Sequence, residues 1–278
     1  MTKTVLITGC SSGFGKTATG YFVRQGWNVI ATMRNISDGK ELAELDNVLV
    51  TRLDVEDPAS IASAIEAGIE RFGRIDALVN NAGYGLFGIF EATSPEKIKK
   101  QFDVNVFGVM SVTRAILPHF RTNKAGVIIN VSSGAGVFTL PMISLYCASK
   151  FALEGFSEAL SYELSGLGIT VKVVEPGGVI STKFGQRSGA EAGQAQSIPD
   201  YEPFVTSSLA IFETMRGQRL ATEEDVAKVI HDAVTDGTDQ LRYVATDDIK
   251  PLVRARRETS EAEYIQFMRS KFGASAAS

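Results

Sequence analysis

Histidine and cysteine are scarce: two of each occur in 278 residues, namely His119, His231, Cys10 and Cys147. The histidines stand apart from any ligand-spaced cluster, so a metal site, catalytic zinc included, is not expected. Two cysteines in a chain without secretory features read as reduced thiols rather than a disulfide framework. No run of about 18 apolar residues is present, so no membrane span is expected. The opening MTKTVLITG meets glycine and serine too soon for a signal-peptide core and has no cleavage site, so the expected location is cytoplasmic. Charge of one sign is lacking too. With 28 basic and 32 acidic residues the net charge is −4, and no nucleic-acid partner is expected. The remainder, 44% apolar and 22% charged, is an ordinary globular balance.

Short β-branched runs alternate with longer amphipathic segments. The runs are TVLIT (4–8), NVIATM (28–33), NVLVTRL (47–53), DALVNN (76–81), GVIINVS (126–132), TVKVVEP (170–176) and LRYVA (241–245). Most are apolar nearly throughout, as strands buried on both faces are. Helices are expected near 14–26, 58–72, 95–122, 145–167 and 222–236. Asp57-Pro58, Ser94-Pro95 and Thr222 followed by Asp225 supply their starts. Strand then helix, repeated, predicts an α/β fold with a doubly wound parallel sheet of about seven strands and helices on both faces. No linker splits the chain, so 1–272 read as one domain and 273–278 as a disordered tail. The stretch 183–203 is rich in Gly, Ala, Gln and Ser with little periodicity, and 183–219 is expected to form a substrate loop or lid.

Directly after the first run comes TGCSSGFG, Thr8 to Gly15, opening a helix. Glycines at such a turn let the backbone approach a pyrophosphate, and the helix N-terminus favours the anion. The spacing is not GxGxxG, and a glycine-rich turn can exist without a ligand. The second run ends in Met33-Arg34, where an acidic residue would bond ribose hydroxyls. A cation there suits a 2′-phosphate, which favours NADP(H) over NAD(H). Asp38 competes for that role, but Asp38-Gly39 reads as turn chemistry, and Lys16 reads as a solvated first-turn residue.

Tyr146 and Lys150 stand four apart in LYCASKFALEGF and so share one helix face. A free phenol has a pKa near 10. A cation at roughly 4 Å, with an effective dielectric of about 20, contributes about 4 kcal/mol toward phenolate. That is about 3 pKa units before desolvation opposes it, so with a positively charged nicotinamide also nearby a phenol able to exchange protons near neutral pH is expected.

Together these motifs resemble the short-chain dehydrogenases/reductases over roughly residues 3–185. TGCSSGFG is similar to that family's TGxxxGxG loop, and NNAG (80–83), VNVFG, NVSSGAG, YCASK and EPGG follow in the family's order. The resemblance implies a Rossmann-type dinucleotide-binding and catalytic domain. It implies a catalytic set of Asn105, Ser133, Tyr146 and Lys150. Ser133 rather than Ser132 lies thirteen residues before Tyr146, and strand neighbours face opposite sides. Lys150 would also hold the nicotinamide ribose, and Asn105 would orient a water. The implied cofactor contacts are Gly9, Ser11, Ser12, Gly13, Phe14, Gly15, Arg34, Asn35, Leu53, Asp54, Val55, Asn81, Ala82, Gly83, Tyr146, Lys150, Pro176, Gly177, Val179 and Thr182. Ser181 competes with Thr182 for the carboxamide.

Phe138, Leu140 and Met142 between Ser133 and Tyr146, with Phe184 beyond EPGG, join Ser133 and Tyr146 as expected substrate contacts. They favour a pocket with few fixed charges. The expected activity is NADPH-dependent reduction of a hydrophobic ketone with Tyr146 as general acid. The alternatives are a dehydrogenase working mainly in oxidation and a cofactor-binding regulator. Apolar faces on the Tyr146 helix and on 95–122 resemble the family's dimer surfaces, so a homodimer or homotetramer is expected. The C-terminal stretch containing VRARRETSEAEYIQFMRSKF reads as a solvated amphipathic helix, in a branch resembling steroid and retinol dehydrogenases and carbonyl reductases.

Overall fold

The computed structural model describes residues 2–180, 198–217 and 220–273. Each apolar run forms a strand: β1 Thr4–Ile7, β2 Asn28–Met33, β3 Val48–Arg52, β4 Ala77–Asn80, β5 Gly126–Val131, β6 Ile169–Glu175 and β7 Arg242–Val244. They pair in parallel as one seven-stranded sheet in the order β3-β2-β1-β4-β5-β6-β7. The order reverses between β1 and β4, which opens a crevice beyond their C-terminal ends.

Period-two alternation sends neighbouring side chains to opposite faces. Val5 and Ile7 join a core cluster with Phe22, Trp27 and Ile230, covered by α1 (Gly13–Arg24) and the later helix Glu223–Thr235. Leu6, Leu78 and Ile128 join the opposite cluster with Ile61, Ile116 and Leu160. Those last three come from the helices Pro58–Phe72, Val109–Asn123 and Ser144–Ser165. With both faces covered, the strands carry no polar alternation, which is why their sequences read as continuous apolar runs.

After the short α2 (Lys40–Ala43) comes α3 (Pro58–Phe72), started as expected by Asp57, whose carboxylate accepts from the N–H groups of Ala59 and Ser60 at 3.1 and 3.3 Å. The expected 95–122 helix is interrupted. It consists of α4 (Pro95–Phe102), a π-helical turn over Asp103–Gly108, and α5 (Val109–Asn123). Such turns commonly sit at functional sites, and this one contains Asn105. Then follow α6 (Ser144–Ser165), α7 (Glu202–Gly217) and α8 (Glu223–Thr235). Part of the expected lid is therefore helical. Its stretches 183–197 and 218–219 lie outside the described residues, as does the tail from 274.

The C-terminal stretch differs from a single solvated helix. It forms α9 (Lys250–Glu258) and α10 (Glu261–Phe272), broken where Ser260 and Glu263 make a reciprocal capping box. Leu252, Val253, Tyr264 and Met268 are buried against Val137 and Phe138.

Candidate active site

The crevice is built first around Thr8, which the sequence reading passed over. Its side-chain oxygen accepts from the N–H groups of Asn81 and Ala82, both at 3.0 Å. The Asn81 amide returns a bond to the Thr8 carbonyl at 2.9 Å and reaches that of Gly9 at 3.3 Å. The ends of β1 and β4 are thereby tied together. Gly9 and Gly13 have φ of +75° and +58°, in the region that favours glycine. A Cβ on Gly15 would lie 2.4 Å from the Gly9 carbonyl oxygen, so this loop packs too tightly for any side chain there. Ser11, Ser12 and Phe14 lie along it, half-buried, and no acidic residue occupies the first turn of α1. Cys10 is fully buried, and burial pushes its thiol up to about 12, so it stays neutral.

At the end of β2, Met33 is buried and Arg34 and Asn35 are exposed. Arg34 makes no ion pair among the described residues. Asn35 caps a short turn by accepting from the Ser37 N–H at 3.3 Å, and Asp38 lies in that turn, as expected. Lys16 is not simply solvated: it pairs with Glu41 at 2.6 Å. Leu53 and Val55 are buried, while Asp54 accepts from the Glu56 N–H at 3.2 Å.

Tyr146, Lys150, Ser133 and Asn105 converge from α6, the end of β5 and the π-helical turn. Tyr146 and Lys150 are 7% and 6% exposed, so the pair is almost wholly removed from water. The Lys150 ammonium donates to the Val131 carbonyl at 2.9 Å and lies 5.8 Å from the Tyr146 ring centroid. Ser133 hydrogen-bonds the Tyr146 side chain and accepts from the Ala135 N–H at 3.1 Å. Ser132 is separated from it as strand alternation requires. Its hydroxyl faces the space beside Gly136 and Glu154.

In the protein without cofactor the phenol is raised, not lowered. Burial pushes Tyr146 well above its usual value, and the bond from Ser133 only partly offsets this. Lys150 does not dominate because burial acts on it too, pulling its ammonium down to about 8. The protein alone therefore holds Tyr146 as a proton donor.

Asn105 is fully engaged through its side chain. Its oxygen accepts from the Tyr84 N–H at 3.1 Å, and its amide donates to the Tyr84 carbonyl at 2.9 Å and to Ser149 at 3.2 Å. With both amide protons used, the side chain braces the loop after Gly83. Gln101, also missed in the sequence, braces the same loop through the Leu86 N–H and the Tyr84 carbonyl, both at 2.8 Å. A buried amide four residues before Asn105 on one helix was the available signal.

Pro176 and Gly177 follow β6. Gly177 N–H donates to Thr246 at 2.9 Å and Gly178 N–H to Asp248 at 3.2 Å, so the segment after β7 grips this turn. Val179 is buried beside it. Thr182, Ser181 and Phe184 lie outside the described residues.

Of the expected substrate contacts, Phe138 belongs to the core instead. It is 2% exposed and packs with Ile249, Leu252 and Val253, because the C-terminal helices close over it. Leu140 packs against the cluster containing Tyr146, Ile143 and Cys147. Met142 has φ of +59°, a strained value for a non-glycine residue. It lines a small cleft with Leu86, Phe87 and Leu145. A larger cavity of about 350 Å³ lies between Leu140 and Pro141 and the α10 residues Ile265, Met268 and Phe272. Phe212 of α7 meets Phe87 edge-on with centroids 5.9 Å apart, which brings α7 over this side.

Comparison with known proteins agrees with this architecture. The family model described as short chain dehydrogenase matches residues 3–192. An uncharacterized oxidoreductase of Schizosaccharomyces pombe is 38% identical over 87% of this chain and 100% of its own length. Human 17-beta-hydroxysteroid dehydrogenase type 1 is 34% identical over 97% of this chain and 86% of its own. A short-chain dehydrogenase from Streptomyces avermitilis superposes with a TM-score of 0.82 at 30% identity, covering 99% of each chain. ElxO with NADP bound superposes at 0.74 and 28% identity, over 90% of this chain and 98% of its own. A 3-ketoacyl-(acyl-carrier-protein) reductase from Brucella melitensis with NADH superposes at 0.73 and 26% identity, over 88% and 96%. A parallel sheet with its crevice at the β1–β4 reversal, a glycine loop too tight for side chains, and a buried tyrosine–lysine pair thus coincide with matches along most of the chain. This protein belongs to the short-chain dehydrogenase family and is an oxidoreductase of that family.

Proposed function

We propose that this protein is an NADPH-dependent carbonyl reductase acting on a hydrophobic ketone. The observation that carries the reading is the buried Tyr146, raised in pKa and bonded to Ser133. A phenol held protonated is the form that donates to a developing alkoxide.

The residues present fit a dinucleotide. Gly9 packs against Ala82 and Gly15 against Gly9 too closely for a Cβ, which keeps the loop tight, and the start of α1 offers N–H groups with no carboxylate to repel phosphate. Gly9, Ser11, Ser12, Gly13, Phe14 and Gly15 would hold the pyrophosphate. Leu53, Asp54 and Val55 would flank adenine, with Asn81, Ala82 and Gly83 along the floor. Pro176, Gly177, Val179 and Thr182 would meet the nicotinamide side. Bound there, the reduced nicotinamide supplies the hydride. Tyr146 gives its hydroxyl proton to the carbonyl oxygen. Ser133 donates a hydrogen bond to the same oxygen and stabilises its charge. Lys150 holds ribose hydroxyls and offers its positive charge as the phenolate forms. Asn105 keeps the Tyr84 loop in place.

The preference for NADPH is supported by Arg34, exposed and without an ion pair among the described residues, with no carboxylate at the end of β2. A bound 2′-phosphate would gain a charge-assisted bond there. Leu140, Met142 and the cavity against α10 favour a bulky apolar substrate. The exposed Phe107, Phe151 and Tyr162 on α5's approach and α6 support assembly with further copies as a homodimer or homotetramer. Leu153, Leu160, Val109 and Val112 on the same helices are core. The location fits cytoplasm, where NADPH is available; among the described residues no helix is long and apolar enough to cross a membrane.

The test is loss of reduced-nicotinamide absorbance with a panel of apolar ketones, NADPH and NADH in parallel, on the wild type and Arg34→Ala. Turnover favouring NADPH by about 10-fold or more, lost in Arg34→Ala, is expected. Equal turnover with NADH would refute the Arg34 assignment. Best turnover on charged sugars or hydroxy acids would refute the apolar pocket.

A further inference from the structure

Lys150 is followed on the same face of α6 by Glu154, one turn on, and then by Glu158. Glu154 is 6% exposed, yet the reaction described above gives it no part. A buried carboxylate needs a partner. Arg242 of β7 supplies one, donating to one Glu154 oxygen at 2.9 Å. The other oxygen, Oε1, and the Ser132 hydroxyl are buried side by side. Gly136 keeps this spot narrow: a Cβ there would lie 2.7 Å from Ser132 Oγ and 3.0 Å from Glu154 Cγ. The carboxylate is thus held by one cation, Arg242, one helical turn from Lys150.

We propose that Glu154 is a positioning residue for the active-site lysine: anchored by Arg242, its negative charge keeps Lys150 protonated inside the protein and sets the upper pH limit of turnover. The proposal rests on the reading of Lys150 given above. Burial drives Lys150 toward the neutral amine, and Glu154 is the group that opposes this. Tyr146 on α6 and the Val131 carbonyl on β5 also face Lys150, and Cys147 stays a neutral thiol raised by burial. Facing Glu154 are Ser132 at the end of β5, Glu175 of β6, and Arg242. Arg242 also meets Glu158 at 2.5 Å and Glu175 at 3.7 Å. Behind Glu175, which is fully buried, stands Arg257 of α9 at 2.5 Å. Burial and Glu175 raise Glu154, while Ser132 and Arg242 lower it. The Arg242 guanidinium is the cation that favours its ionised form.

An ammonium with a lowered pKa loses its proton as pH rises, so activity that needs the cation fails on the alkaline side. Removing a nearby anion moves that failure to lower pH. The experiment is the pH profile of kcat/KM for the wild type, Glu154→Gln, Glu154→Asp, Glu158→Gln and Lys150→Ala. Glu154→Gln should bring the alkaline limb down by about one pH unit, the scale of losing one nearby opposite charge. Glu154→Asp, which keeps the charge, should restore it. Glu158→Gln, which removes an exposed carboxylate on the same arginine, should leave it in place. If Glu154→Gln does not fold, Glu154→Met is read instead; it removes the same charge at similar volume, and the limb should fall. An unmoved limb in a folded variant, or an equal shift in Glu158→Gln, overturns the proposal while an inactive Lys150→Ala preserves the catalytic reading. Wild-type turnover in Lys150→Ala would instead overturn that reading and this one with it.

Discussion

Replacing Thr8 by valine tests the tie between β1 and β4. Valine matches threonine in shape but has no acceptor. Thr8 is 1% exposed, and its oxygen receives the N–H groups of Asn81 and Ala82, both at 3.0 Å. The substitution leaves two main-chain donors without that partner. Each unpartnered donor costs about 1–3 kcal/mol, and the added methyl returns about 1 kcal/mol. The net loss should be about 3 kcal/mol, with almost no cavity contribution. Urea unfolding should show a lower midpoint at unchanged slope, since the surface exposed on unfolding is the same. NADPH affinity, read by fluorescence, should weaken as well, because Asn81 also braces the Gly9 carbonyl and so the cradle. A loss below about 1 kcal/mol with unchanged NADPH affinity would refute the reasoning, since the two N–H groups would then have another acceptor.

Tyr146→Phe removes the proposed proton donor without opening a cavity. Turnover should fall by about 10³-fold with NADPH affinity within about 2-fold of wild type, and retained turnover would remove Tyr146 from the mechanism. On the far side of the sheet, Lys172 of β6 is 2% exposed and bonds Asp236 and, at 3.1 Å, the Tyr243 hydroxyl. Asp236→Asn should destabilise the fold by about 3 kcal/mol, because it strands a buried ammonium; adding Lys172→Met should recover most of the loss. A double variant no more stable than the single would contradict this. Burial opposes ionisation of Asp236, but Lys172, Tyr243 and the Thr238 N–H hold it well below the usual carboxylate range. A lowered carboxylate contributes stability present above about pH 4 and lost as pH falls. The acid slope of thermal stability should therefore be shallower in Asp236→Asn.

The strands were legible because burial on both faces forces continuous apolar runs, and the glycine loop because only glycine tolerates its backbone. The Tyr146–Lys150 spacing was legible because helical geometry alone puts the two on one face. Other features had no local signature. The break between α9 and α10 lies in a segment whose charges suggested one solvated helix. Phe138 looked like a pocket residue until those helices closed over it.

Sequence by itself determined which side chains could do chemistry and the order of the elements that carry them, since periodicity, turn residues and i,i+4 spacing are local. Tertiary structure decided the electrical state of those side chains. Tyr146 is pushed up rather than down because desolvation depends on every element packed around α6, and its effect exceeds that of a lysine which is itself buried. The partners of Thr8, Glu154 and Gly177 were likewise settled by folding, as they come from strands and turns 69 or more residues away. No short stretch of sequence could show them.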